Sequence, residues 1–101
     1  MIRRTVEAHE RIKEEIVREK AAALGRAGER LEAALAEVAA IARAWRTAPD
    51  AADRERLGLD YERAWRAADA ARLALLIQRE AVGLRDQRVV DQQFPRPPRR
   101  P

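Results

Sequence analysis

VREKAAALGRAGERLEAALAEVAAIARAWRTAPD, residues 17–50, decides the fold of this chain. Val17, Leu24, Leu31, Val38 and Trp45 recur every seventh residue, with Ala27, Ala34 and Ile41 between them and Leu35 and Ala42 widening the stripe. That spacing keeps one face of an α-helix apolar and makes an alanine-rich seam that allows close helix approach. The run ends at Thr47-Ala48-Pro49-Asp50, a Thr-x-x-Asp helix-capping pattern with proline suited to a first helical turn. Two long helices on either side of a tight turn make an antiparallel hairpin.

Working outward, the stripe continues towards the N-terminus through Ile16, Ile12, His9, Thr5 and Ile2, but Lys13 and Lys20 occupy seam positions there. Gly25 and Gly28 lie inside the first helix, where each costs about 1 kcal/mol relative to alanine. The unbroken heptad phase favours a continuous helix, with a break near Gly25 as the alternative. Ala21, Gly25 and Gly28 then form a smooth strip for close packing of another helix, opposite Ala71 and Ala68.

Helix 2 carries two stripes. Leu57, Tyr61, Ala64, Trp65, Ala68, Ala71, Leu75 and Val82 form one, and Leu73, Ile77, Ala81 and Leu84 form the other. Residues 64–77 are apolar around most of their girth, as in a helix buried on all sides. Helix 1 can cover one side only, and exposing Leu73, Leu76 and Ile77 forfeits roughly 1.5–3 kcal/mol each. The expected fold is therefore all-α: a long antiparallel helical hairpin that dimerises into a four-helix bundle. Its interface is expected at Leu73, Leu76, Ile77, Leu84, Trp65, Gly25 and Gly28. Helix 1 is expected over about 4–46 and helix 2 over about 50–87, with Gly58 as an optional break and Asp60 as a restarting cap. The hairpin takes 1–90, leaving 91–101 as an extended tail.

Composition narrows function. At 101 residues the chain is one domain. Charged residues are 38% and the net charge is +4, with signs interleaved as on solvated helix faces. Cysteine and serine are absent, which removes disulfides, thiolate metal sites, and cysteine or serine nucleophiles. The lone His9 lacks the Glu-x-x-His spacing of a di-iron bundle, so no metal and no cofactor are expected. Gly25-Arg26-Ala27-Gly28 spells the G-x-x-G of RNA-clamping KH domains, but no strand pattern accompanies it. The longest apolar run, Leu73–Ile77, is far short of the roughly 20 residues that span a bilayer. The expectation is a cytoplasmic protein with no membrane contact, and not an enzyme.

Two polar features carry the alternatives. Lys13, Arg79, Glu80 and Arg85 can gather between the helices, either as an ion-pair network that fixes register or as an anion site of a small helical enzyme. Phe94-Pro95-Arg96-Pro97-Pro98-Arg99-Arg100-Pro101 cannot be helical and favours polyproline II. Its PxxP spacing suits a protein partner with an aromatic groove. Arg96, Arg99 and Arg100 also offer a salt-sensitive contact to nucleic acid or another polyanion.

Residues 23–32 (ALGRAGERLE) and 78–86 (QREAVGLRD) are similar to stretches in small uncharacterised all-helical bacterial proteins of unknown function. This resemblance spans less than a quarter of the chain and implies no activity or site. The sequence thus points to a helical scaffold or interaction module whose first partner is a second copy of itself.

Overall fold

A computed structural model describes residues 2–101, with side chains from Arg3 onward. Three helices follow in order: α1 (Ile2–Arg46), α2 (Ala51–Ala81) and α3 (Arg88–Gln93). The hairpin is as the heptads require, with α1 and α2 packed along each other. No strand occurs among the described residues.

The α1–α2 seam has two centres. Ala27 and Leu31 meet Leu75 and Val90, joined by Leu24, Leu35, Ala71, Leu76 and Phe94. Val38 meets Tyr61 and Ala68, joined by Ala34, Ile41, Ala42, Ala64 and Trp65. The every-seventh residues from Leu24 to Val38 therefore hold the core. Val17 does not, being 65% exposed. It lies beside the C-cap of α2, where it lines an open cleft with Lys20, Ala21, Leu24 and Val82; beyond that point α1, with 45 residues against 31, outruns its neighbour by 14 residues, about 21 Å. Every side chain from residue 3 to residue 22 is exposed. The molecule is a rod of 75 × 21 × 15 Å with a radius of gyration of 19.9 Å, against about 13 Å for a compact chain of this size.

The turn is capped three residues later than the Thr47 pattern suggests. Asp50 is the N-cap of α2, with extended backbone (φ −146°, ψ 174°), and its side chain accepts from the Asp53 N–H at 2.9 Å. Thr47 instead donates its hydroxyl back to the carbonyls of Arg43 and Ala44, each at 3.4 Å. α2 runs unbroken through Gly58, so the break there and the restart at Asp60 do not occur. α1 is likewise continuous through Gly25 and Gly28.

α2 stops at Ala81 rather than near residue 87. Gly83 takes φ +85°, its N–H bonds the Glu80 carbonyl at 3.0 Å, and the Leu84 N–H reaches the Arg79 carbonyl at 2.9 Å. Those two bonds are the 5→2 and 6→1 pair of a Schellman stop, which needs a residue at ease with positive φ. The chain then turns back. Asp86 accepts from the Arg88 N–H at 3.1 Å, and α3 seats Val90, 2% exposed, on Leu31 and Leu75.

The segment expected to be a free tail is packed. Residues 94–101 return along α2 without regular secondary structure. The side of α2 that α1 leaves open is thus partly covered by the chain itself.

Candidate interaction surfaces

Tyr61, Glu62, Trp65, Asp69 and Arg72 follow one another at helical spacing and present one face of α2 to the returning segment. Prolines offer carbonyls and no N–H, so an extended proline-rich segment must be held by donors from its receptor. The face supplies them. The Tyr61 hydroxyl donates to the Pro98 carbonyl, and the Trp65 indole Nε1–H donates to the Pro97 carbonyl at 3.3 Å. Arg72 Nη2 donates to the Phe94 carbonyl at 2.6 Å and Nη1 to Asp91 at 3.3 Å. Arg72 is 2% exposed, a buried cation on a helix read from sequence as apolar all round.

The arginines of the segment meet acids on the same face. Arg99 makes two bonds of 2.6 Å to the Glu62 carboxylate, and its guanidinium lies 4.3 Å from the centre of the Trp65 ring. Arg96 lies 3.3 Å from Asp69. Bonds from Arg99, and then from Arg66 at 2.8 Å, hold the Glu62 carboxyl at a pKa of about 2. The same pairing raises Arg99 above its usual value. Burial pushes the Tyr61 hydroxyl up, opposed by the Arg99 charge. Two of the three arginines expected to serve a polyanion are thus engaged with carboxylates of their own chain. Arg100 is exposed.

The expected dimer residues separate into three settings. Leu73 (58%), Ile77 (56%) and Leu84 (45%) are exposed on the single chain. Leu76 is half-buried against the Leu31–Leu75–Val90 cluster, and Trp65 is half-buried under the returning segment, so both already have neighbours. Gly25 and Gly28 face no helix closely, since a Cβ at either would meet nothing within 4 Å. They line an open groove of about 450 Å³ together with Leu75, Arg79, Val90 and Phe94. The close crossing expected at the glycines, opposite Ala71 and Ala68, is not formed within the chain, because α3 and Phe94 stand off across that groove.

The Lys13, Arg79, Glu80 and Arg85 cluster is not assembled around that groove. Arg79 lines it, donating Nη2 to the Asp86 carbonyl at 3.2 Å, while Lys13, Glu80 and Arg85 do not. Lys13 sits 3.6 Å from Glu10 on the exposed arm of α1. Among the described residues no group of three or more His, Cys, Asp or Glu is placed to hold a metal ion. No helix there is long and apolar enough to cross a membrane.

The α1 arm carries a set of exposed aliphatic side chains. Val6 (54%), Ile12 (54%), Ile16 (45%) and Val17 (65%) are all exposed on it. Comparison of the chain with known protein families, curated proteins and solved structures finds no match.

Proposed function

We propose that the chain is a non-enzymatic helical scaffold that acts as a homodimer, with the arm of α1 over residues 3–22 as its docking element. One observation carries this reading: a helix continues for about 30 Å with every side chain exposed, four of them branched aliphatics. Helices in proteins draw most of their stability from packing of an apolar face, which this arm lacks within the single chain. Covering each of the four aliphatics, already half-exposed, returns about 1 kcal/mol.

The order of charges favours a second copy as the partner. The arm opens with Arg3 and Arg4 and carries Glu14 and Glu15 about three turns later. An antiparallel arrangement about His9 sets Arg3 and Arg4 of each arm level with Glu15 and Glu14 of the other, Glu7 level with Arg11, and Val6 level with Ile12. The outward strip of Leu73 and Ile77 on α2 carries two exposed aliphatics against the four of the arm.

Light scattering on the full chain tests the reading. The expected mass is twice 11.5 kDa at micromolar concentration. Ile12→Glu with Ile16→Glu should return the monomer, while Leu73→Glu with Ile77→Glu should leave the dimer in place. A single 11.5 kDa species across the micromolar range overturns the proposal.

A further inference from the structure

The returning segment is bound as a ligand is bound. Its ion pairs lie at the surface: Arg99 and Glu62 are 48% and 38% exposed, and Arg96 and Asp69 are 57% and 45% exposed. Between the segment and α1 lies a cavity of about 360 Å³, lined among others by Leu35, Val38, Ala42, Pro95 and Pro98. Beyond Phe94, which packs on the Leu31–Leu75–Val90 cluster, the segment is therefore held by directional bonds to α2. Its spacing also fits its receptor. Arg96 and Arg99 are three residues apart, about 9 Å in a polyproline II chain at 3.1 Å per residue. Asp69 and Glu62 are seven residues apart on α2, about 10 Å at 1.5 Å per residue. One turn of the ligand conformation thus spans two turns of the helix, running antiparallel, with each arginine opposite an acid. Between those pairs the Pro97 and Pro98 carbonyls meet Trp65 and Tyr61, the aromatic donors such ligands require.

We infer that this face of α2 is a recognition site for extended Arg-Pro-Pro-Arg segments presented by another protein, and that residues 94–101 are its resident competitor. The partner's chemistry is fixed by the occupant. It has arginines at i and i+3 to reach Asp69 and Glu62, consecutive prolines between them to offer carbonyls without N–H groups, and an apolar residue upstream at the place of Phe94. Proline stiffness lowers the ordering cost for either occupant, so exchange is decided by concentration. A tethered segment has an effective concentration on the order of millimolar, which an incoming segment must overcome or bypass.

The test uses the full chain with Arg96→Gln and Arg99→Gln, which removes both ion pairs of the resident segment and leaves the α2 face intact. The probe is a synthetic peptide with the sequence of residues 94–101, read through the Trp65 indole N–H resonance in NMR, with Trp45 as the internal control. Saturable binding is expected, with the Trp65 signal returning to its wild-type position and Trp45 unmoved. The unaltered chain should bind the same peptide at least ten-fold more weakly. Adding Glu62→Arg should remove binding, and a peptide with Glu in place of Arg99 should then restore it. Absence of binding at millimolar peptide by a variant that keeps its helical circular dichroism overturns the inference and leaves residues 94–101 as a strap. If the double variant unfolds, Arg99→Gln alone reads the same competition. Peptide binding that ignores Glu62→Arg refutes the assigned register.

Discussion

Arg72→Met keeps the aliphatic stem of the most buried charged side chain and removes its guanidinium. In the folded chain that group bonds the Phe94 carbonyl at 2.6 Å and Asp91 at 3.3 Å, with Arg72 itself 2% exposed. A hydrogen bond to a charged group contributes about 1.5–3 kcal/mol, and the short bond to Phe94 belongs in that range. The Asp91 pair adds less: its carboxylate is 61% exposed, and pairs open to water contribute about 0–1 kcal/mol. Relief of the guanidinium's desolvation opposes both. The net expectation is a loss of about 2 kcal/mol, which for about 100 residues lowers Tm by roughly 8–16 °C. Thermal melts followed by far-UV circular dichroism give Tm. Near-UV dichroism reports whether the cover over Trp65 is lost first. A variant that melts at or above the unaltered chain would falsify the claim that this cation pins residues 91–94 to α2, and would class it with buried ions that an apolar isostere replaces without loss.

Acid should loosen residues 94–101. The Glu62 carboxyl ionises at about 2 in the folded chain against 4.5 ordinarily. Its contribution is therefore whole above about pH 4.5 and disappears as pH falls through about 2, where the Trp65 resonance should shift; a signal unchanged down to pH 2 would refute the pairing with Arg99. Gly25→Ala and Gly28→Ala should each stabilise by roughly 0.5–1 kcal/mol in denaturant unfolding, because a Cβ meets nothing there and helix propensity alone changes. Loss of stability at either would mean that the strip is in close contact with another helix. Gly83→Ala should destabilise by about 1–2 kcal/mol, since its φ of +85° strains any L side chain although space is open. An unchanged urea midpoint would show that the stop after Ala81 does not depend on the left-handed residue.

The hairpin was legible because it is a periodic, local property. Leu24, Leu31 and Val38 mark one face of one helix, and the turn at 47–50 carries capping residues. Val17 extends the same period yet stays exposed beside the end of α2, since periodicity reports which face is apolar and not how closely a neighbour covers it. The end of α2 had a signal in Gly83, a lone glycine past an apolar helix, but Leu84, at the spacing of the Leu73–Ile77–Ala81 stripe, masked the stop. Val90 and Arg72 were not legible. Val90 sits in a polar stretch, and its burial depends on a reversal of chain direction within the six-residue link that precedes α3. Arg72 looks like one more solvated charge until Phe94 and Asp91 fold over it. The face that holds residues 94–101 left a fainter trace: Tyr61 and Trp65 share a helix face, and the remote arginines find acids at matching intervals. Only the fold brings the two lists together.

A rod more than three times as long as it is wide drags far more water than a sphere of equal mass. On a sieving column calibrated with round proteins, a single copy should therefore emerge early and pass for a pair. Frictional ratio from sedimentation velocity separates the two cases: a lone rod keeps its 11.5 kDa while showing a high ratio. Two copies joined through their projecting arms would lengthen the particle further and raise that ratio again, whereas two copies stacked flank to flank would thicken it and bring the ratio down.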